Sequence, residues 1–398
     1  MFVIFYTFLP LFAYQLGANA LEIGLVGGTN YAIYSFMPFV LGRFSNKLLI
    51  RSFFIASSFA LLTIVSLAYS LANSPTVIII ARVFEGVSWT LLWPGLQVGF
   101  ALDTRMNAKK ALSYYNITWS AGATIGPLVG AGLVSLFSYR ITFQVTALML
   151  VLVTIVNSVS FLYARRIASS EKTLEGSRLE SSLRTEVIRD NNSDNPRQSA
   201  LPSGQHNLNI VFYLSVTTIV TLTTTIILTF FPPYADSIGI SVILIGTTSF
   251  VFGIARFLVY FLTTTDKIRS YLFDKQFRNL KLILSLGFLA IACSVFLVAH
   301  GNITIYLIAA AALGSLYATI NGITQAGIVA EAPSSKTGTA SGAFESAVGI
   351  GSTVGPIASG LVSSGSLLTA FYVPIIGILS VISIFAILFT MHYFRKKT

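Results

Sequence analysis

The sequence predicts an all-α integral membrane protein with twelve transmembrane helices in two six-helix pseudo-symmetric halves. Composition, the length of the apolar runs and an internal repeat together predict this fold class. Hydrophobic residues make up 54% of the 398 residues, charged residues make up 10%, and the mean hydropathy is +0.78. A soluble domain carries roughly 25% charged residues. Most side chains of this chain must therefore face lipid.

Twelve apolar runs have the length that a helix needs to cross the hydrocarbon core, about 20 residues. Charged residues, glycine or proline bound each run. The runs cover residues 1–17, 21–42, 52–72, 76–101, 113–138, 140–163, 209–232, 240–264, 281–299, 303–328, 341–366 and 368–391. Because the runs are continuous rather than alternating, they predict helices and not barrel strands.

The lysines and arginines predict the orientation in the membrane. With both termini and the central linker in the cytoplasm, 22 of the 25 basic residues lie on the cytoplasmic side. Of the others, Arg140 lies outside, and Arg82 and Arg256 lie within spans. This asymmetry follows the positive-inside rule and predicts a multi-pass protein of the cell membrane. Because the net charge of +11 sits in short clusters between apolar runs, nucleic acid is excluded as a partner.

Residues 164–208 differ in composition from the rest of the chain. They hold 7 basic and 6 acidic residues. We interpret them as a cytoplasmic linker, which divides the chain into an N-terminal six-helix half, residues 1–163, and a C-terminal six-helix half, residues 209–398.

Sequence patterns recur at spacings of 222 to 229 residues. Residues 8–17, followed by Ile23-Gly24, recur as residues 230–239, followed by Ile245-Gly246; Gly122-x-x-x-Gly126-Pro127 recurs as Gly351-x-x-x-Gly355-Pro356, and Gly86 corresponds to Gly314. The two halves are therefore predicted to be copies of one six-helix unit.

This organisation resembles the major facilitator superfamily of secondary transporters over essentially the whole chain. Arg82-x-x-x-Gly86 is similar to the arginine motif of that family's fourth span, and Gly122-x-x-x-Gly126-Pro127-x-x-Gly130 is similar to its antiporter motif. Residues 42–51 match the family's signature between spans two and three only in a degenerate form, with Asn46 in place of the usual aspartate. The motif content is most similar to the drug/proton antiporter type.

Four charged residues lie well inside predicted spans: Arg82, Glu85, Arg256 and Glu345. Each costs about 2.5–3.5 kcal/mol at a helix centre, so such residues normally face a cavity or one another. They are the candidates for proton coupling or gating. Arg82 and Glu85 share a helix face, and the alternative is that they only lock span four in place. Glu345 is the candidate proton carrier, with Arg256 as its partner; the alternative for Glu345 is a structural role.

Aromatic and amide residues lie near the middle of spans that line the path in this fold. Amphipathic rings suit an organic substrate. The candidate substrate-binding residues are Tyr31, Tyr34, Trp89, Trp93, Asn116, Trp119, Tyr317, Asn321 and Gln325.

Glycines at four-residue spacing give spans five and eleven a smooth face on which another helix can pack closely. Proline in such a helix removes a hydrogen-bond donor and permits a kink. The resemblance implies that this face lies between the halves, and the alternative is ordinary tight packing. The inter-half packing motif that it implies consists of Gly122, Gly126, Pro127, Gly130, Gly351, Gly355 and Pro356.

These observations predict a secondary active transporter that works by alternating access, as a monomer in the lipid bilayer. Its function is predicted to be proton-coupled efflux of a small organic or hydrophobic compound. Two alternatives stay open, namely proton-coupled uptake of a sugar or organic acid, and a non-transporting membrane sensor on the same fold. The sequence has no nucleotide-binding motif and no metal or nucleophile spacing, so an enzyme is not predicted, and neither a cofactor nor a metal is expected.

Overall fold

The structure of the protein is a computed structural model that describes residues 4–41, 48–101, 108–182, 203–273, 277–331 and 337–395. These residues form helices joined by short connections, without any strand in the described ranges. Nine of the described helices are long and apolar enough to cross a membrane by length and composition. The predicted all-α membrane fold is confirmed.

The N-terminal half contains six helices. They are α1 (Ile4–Gln15), α2 (Ala20–Leu41), α3 (Leu48–Leu71), α4 (Pro75–Ala101), α5 (Ala108–Leu136) and α6 (Tyr139–Ser182). The C-terminal half contains α7 (Ser203–Ser237), α8 (Val242–Leu262), α9 (Asp266–Phe273), α10 (Arg278–Val298), α11 (Ile303–Glu331), α12 (Thr337–Val362), a 3₁₀ turn (Leu367–Phe371) and α13 (Tyr372–Arg395).

Twelve of these helices correspond to the twelve predicted runs, and α9 is an additional short helix between two of them. An even number of crossings puts both chain ends on one side of the bundle. We call this the terminal side, and the other the opposite side.

Two helices extend into the predicted linker. Helix α6 has 44 residues and continues to Ser182, and α7 begins at Ser203. Both ends of the segment 164–208 are therefore helical, and residues 183–202 lie outside the described ranges. The half and linker boundaries stay predictions.

The internal repeat predicted from the sequence is present in the packing within each half. A Cβ atom on Gly86 of α4 would meet the carbonyl oxygen of Asn30 on α2. A Cβ atom on Gly314 of α11 would meet the carbonyl oxygen of Phe252 on α8. Since Asn30 and Phe252 are 222 residues apart, the same two helices of each half cross at equivalent residues.

The contacts between the halves follow the same symmetry. They are formed chiefly by α2 with α12, α5 with α8, and α1 with α7. A Cβ atom on Gly24 of α2 would meet the carbonyl oxygen of Pro356 on α12, and one on Gly246 of α8 would lie 2.9 Å from that of Pro127 on α5. These residues lie toward the opposite side, where the two halves therefore touch backbone to backbone.

The predicted inter-half role is wrong for two glycines of span eleven. A Cβ atom on Gly351 would meet Thr218 of α7, and one on Gly355 would meet Leu222 of α7, so both pack within the C-terminal half. Gly122 has no atom within 4 Å of its Cβ position. Gly126 and Gly130 are buried.

Candidate functional site

A cavity of about 520 Å³ lies between the two halves and is lined by nine helices. Toward the opposite side it ends where the Gly24–Pro356 and Gly246–Pro127 contacts close the halves. Toward the terminal side its lining includes Tyr260, two residues before the end of α8. Among the described residues, the lining of the cavity therefore reaches toward the terminal side, and the two halves are in contact on the opposite side.

All nine candidate substrate-binding residues line this cavity, namely Tyr31, Tyr34, Trp89, Trp93, Asn116, Trp119, Tyr317, Asn321 and Gln325. Arg256, Glu345, Gly122 and Pro127 line it as well. That these residues contact a substrate stays a prediction. Arg82 and Glu85 are buried elsewhere, within the N-terminal half.

The two walls of the cavity differ in chemistry. The N-terminal half supplies seven of the eleven aromatic lining residues, and these include all three tryptophans of the chain. The C-terminal half supplies seven of the ten serine, threonine, asparagine and glutamine residues of the lining, as well as both charged ones, Arg256 and Glu345. A bound compound would therefore meet more rings on the N-terminal face and more aliphatic hydroxyl and amide groups on the C-terminal face.

The aromatic wall is a connected cluster. The rings of Tyr31 and Trp89 meet edge to face with centroids 5.3 Å apart, and those of Trp93 and Trp119 lie 6.5 Å apart. The Trp119 ring also lies 6.4 Å from that of Tyr260 in the other half. Rings in such tilted contacts hold one another in place, which makes this wall a preformed surface for an apolar or aromatic group.

Glu345 of α12 is bound from the other half. The hydroxyl group of Tyr34 on α2 donates a hydrogen bond to Glu345 Oε2 at 2.8 Å. The two residues are 311 positions apart, and both line the cavity. The carboxylate is thus held at a point where a movement between the halves would change its surroundings.

Arg256 of α8 also contacts the other half. Its Nε–H group donates to Ser120 Oγ of α5 at 3.3 Å, and the guanidinium carbon lies 4.6 Å from the centre of the Trp119 ring. The rings of Phe252 and Tyr317 lie 5.3 Å and 6.0 Å away. A cation over aromatic faces gains electrostatic stabilisation, which helps to keep the charge in this buried position.

Arg82 and Glu85 form an ion pair of 2.8 Å, and both are almost fully buried. Arg82 also donates to the carbonyl oxygen of Val26 on α2, at 2.6 Å. The Tyr69 hydroxyl group of α3 donates to Glu85 Oε2 at 2.5 Å. The pair therefore connects α2, α3 and α4 within one half.

Sequence reasoning missed a second buried ion pair. Arg278 Nη2 lies 2.7 Å from Glu331 Oε1, and Arg278 Nε donates to the Tyr213 hydroxyl group at 2.8 Å. This cluster connects α7, α10 and α11 near the terminal side. Arg278 begins α10 and Glu331 ends α11. Because consecutive helices run antiparallel, these two ends lie side by side, so the positions of the two charges in the sequence could have predicted the pair.

Among the cavity residues that were missed are the two aromatic neighbours of Arg256 on α8. Phe252 and Tyr260 lie one turn before and one turn after Arg256 on α8, and both line the cavity. Residues four apart share a helix face, so the position of Arg256 is sufficient to predict both.

A family comparison agrees with this architecture. The family model described as Major Facilitator Superfamily matches residues 1–270. The chain belongs to the major facilitator superfamily. Membership and fold support transport of a small molecule across a membrane. Residues 42–47, which hold most of the signature between spans two and three, lie outside the described residues.

Solved transporters of the superfamily share the fold at low sequence identity. A mutant of the nucleoside transporter NupG aligns with a TM-score of 0.68 and 16% identity, covering 98% of this chain and 96% of that one. A bacterial homologue of the human lysosomal transporter Spinster, in an inward-facing and unoccupied conformation, aligns with a TM-score of 0.61 and 14% identity, covering 97% and 91%. No curated protein matches the sequence.

Proposed function

We propose that this transporter exports a small organic or hydrophobic compound by proton-coupled alternating access. The observation that carries the proposal is the cavity between two pseudo-symmetric halves, whose described lining reaches toward the terminal side and which ends at glycine–proline contacts on the opposite side. Rocking of one half against the other would close the first side and open the second.

The charge distribution supports the proposed orientation. By the positive-inside rule, the basic residues favour the cytoplasm for the terminal side. A compound from the cytoplasm then enters the cavity directly. The aromatic wall favours a compound with an apolar or aromatic body.

Proton coupling is assigned to Glu345. It is the only carboxylate among the described residues that line the cavity, and Tyr34 of the other half holds it. Alternating access would expose this group to one side and then to the other, so that it can bind a proton on one side and release it on the other. Arg256 is proposed as its electrostatic partner.

Uptake of a sugar or organic acid by proton symport is the second candidate. The hydroxyl and amide groups on the C-terminal wall favour it, because they can bind the hydroxyl groups of a sugar. The two candidates differ in the direction of flux.

A substrate panel with proteoliposomes of both orientations and an imposed proton gradient tests the proposal. Export predicts that a compound accumulates on the side equivalent to the cell exterior, in exchange for protons. Accumulation on the cytoplasmic side together with protons would replace export by uptake. Binding without any flux would contradict both transport candidates and would favour a non-transporting sensor.

A further inference from the structure

A side pocket adjoins the cavity between the halves and lies within the C-terminal half. It has a volume of about 20 Å³, and its lining includes Thr224, Leu228, Pro232, Thr248, Ala310 and Leu313. It meets the cavity at residues that line both, among them Thr224 and Leu228. We infer that the side pocket binds a small neutral hydrogen-bond donor of the transported compound, such as a hydroxyl group. The inference narrows the substrate class and rests on the proposed function.

The first argument is the internal repeat, which places the side pocket where the N-terminal half has its buried ion pair. At the spacing of 228 residues between α4 and α11, Ala310 corresponds to Arg82. Leu313 corresponds to Glu85 in the same way. Both Ala310 and Leu313 line the side pocket. The short alanine side chain therefore leaves room that the arginine side chain fills in the other half.

The wall formed by α8 matches the repeat as well. Arg82 donates hydrogen bonds to the carbonyl oxygens of Val26 and Gly27 on α2. At the spacing of 222, these residues correspond to Thr248 and Ser249, which both line the side pocket. A group that enters the side pocket would thus take the place that a hydrogen-bond donor has in the N-terminal half.

The second argument is that the side pocket offers hydrogen-bond acceptors. The hydroxyl hydrogens of Thr224 and Thr248 are each donated to the carbonyl oxygen four residues earlier in the same helix. Pro232 has no N–H group, so the Leu228 carbonyl oxygen lacks the donor that it would have in a regular helix. The proline ring lies next to this carbonyl group and lines the pocket. These three oxygen atoms can accept a hydrogen bond but have none to donate, so they favour a ligand that donates.

The third argument concerns charge and size. Glu85 neutralises Arg82 across 2.8 Å in the N-terminal half, whereas the leucine at position 313 cannot neutralise a cation. Among the described residues, the lining of the side pocket has no charged side chain. A buried cation without a counter-charge is strongly unfavourable. Since about 20 Å³ holds a group about as large as one water molecule, a neutral hydroxyl group meets both conditions.

Binding of three aromatic probes of the same shape to the purified full chain tests the inference. Para-nitrobenzyl alcohol carries the neutral donor, para-nitroethylbenzene has a methyl group in place of the hydroxyl group, and para-nitrobenzylamine has an ammonium group there. All three tryptophans of the chain line the cavity between the halves, so quenching of intrinsic fluorescence reports binding. We expect saturable quenching by the alcohol and weaker binding of the amine.

Thr248→Val should weaken binding of the alcohol by about two- to tenfold, the equivalent of one net hydrogen bond. The ethyl compound should keep its affinity within about twofold, because valine has nearly the shape of threonine. Thr248 lines the side pocket and not the larger cavity, so the loss reports on the pocket. Thr247→Val is the matched control, since Thr247 also donates within its own helix but lines neither space. Its affinity for the alcohol should equal that of the wild type.

Ala310→Val tests the same site by filling it. The alcohol should lose affinity, whereas nitrobenzene, which has no substituent for the side pocket, should keep its affinity within about twofold. In the Ala310→Val background, Thr248→Val should have no further effect on the alcohol, because the two substitutions act on one site. If Thr248→Val does not fold, the comparison of the alcohol with nitrobenzene in Ala310→Val decides.

Unchanged binding of the alcohol in Thr248→Val, or an equal loss for the alcohol and the ethyl compound, would overturn the inference. Tighter binding of the amine than of the alcohol would overturn it as well, and so would the absence of saturable binding of the alcohol. If the side pocket holds only water, Ala310→Val leaves the affinity for the alcohol unchanged, which also contradicts the inference.

Failure of the proposed function has a different signature. If the alcohol binds in a manner that depends on Thr248 but no compound crosses a proteoliposome membrane under a proton gradient, the side pocket stands as a binding site and transport does not. If a compound is transported while Thr248→Val and Ala310→Val leave the binding of the alcohol unchanged, transport stands and the role of the side pocket is wrong.

Discussion

Tyr34 on α2 donates its hydroxyl hydrogen to Glu345 Oε2 on α12 at 2.8 Å, which joins the two halves inside the cavity. The bond lies on the terminal side of the Gly24–Pro356 contact between the same two helices. A movement that separates α2 from α12 at this level would have to lengthen or break it. The bond therefore relates the protonation state of the Glu345 carboxylate to the position of one half relative to the other.

Tyr34→Phe is expected to reduce proton-driven accumulation by about two- to tenfold, the equivalent of one net hydrogen bond of about 0.5–1.5 kcal/mol. The ring remains, so the packing should not change. The measurement is accumulation in proteoliposomes relative to protein amount. Tyr114→Phe is the control, because Tyr114 is exposed and lies outside the cavity lining. An equal loss in both variants would argue against a specific role for the bond.

Arg82→Ala is expected to destabilise the fold strongly. Removing one partner of a buried ion pair costs about 3–5 kcal/mol, because the remaining charge stays buried. The melting temperature in detergent should therefore fall clearly, and the double variant Arg82→Ala/Glu85→Ala should recover part of the loss. Arg140→Ala is the control, since Arg140 is only partly buried and binds backbone carbonyl groups at a loop. A stable, inactive Arg82→Ala variant would instead favour a direct role in transport.

This pair also shows what the sequence can predict about the site. Arg82 and Glu85 are three residues apart, so their contact follows from helix geometry alone. Their bonds to Val26 and Tyr69 do not, because periodicity indicates which face of a helix is buried and not which helix covers it. The same holds for Tyr34 and Glu345, 311 positions apart.

The fold was predictable because lipid restricts the chain to apolar helices of one length, and because the repeat makes one half a template for the other. Helix α9 was missed, since eight residues with several charges do not form an apolar run. The extension of α6 was missed for a similar reason: beyond residue 163 the helix leaves the apolar pattern. Gly351 and Gly355 fitted a packing face, but a smooth face does not identify its partner.

Gly24→Ala is expected to loosen the closed opposite side. An added methyl group would collide with the Pro356 carbonyl group, and the backbones would have to separate. A cysteine at Ser249, in a chain with Cys293→Ser, should then react severalfold faster with an impermeant maleimide added from the opposite side. Gly287→Ala is the matched control, because no atom lies within 4 Å of its Cβ position. The same rate in both variants would count against closure by this contact.

The symmetry of the repeat extends this expectation to Gly246→Ala, which introduces a methyl group against α5 at the equivalent contact. We expect a change in the labelling rate of the same direction and similar size as in Gly24→Ala. Opposite effects of the two variants would show that the contacts do not act as an equivalent pair.

Single cysteines at Ser181 and Ser364 test the orientation, in a chain with Cys293→Ser. Ser181 lies near the end of α6 on the terminal side, and Ser364 is exposed on the opposite side. An impermeant reagent added to intact cells should label Ser364→Cys and leave Ser181→Cys unlabelled until the membrane is permeabilised. The reverse pattern would invert the topology and, with it, the direction of export.

The most direct test of proton-coupled transport compares accumulation with exchange for Glu345→Gln, once a substrate is found. Glutamine mimics the protonated carboxyl group and cannot release a proton. The variant should lose accumulation driven by a proton gradient and keep exchange of labelled for unlabelled substrate across the membrane. If Glu345→Gln still accumulates substrate against its gradient with only a proton gradient supplied, Glu345 does not couple transport to protons.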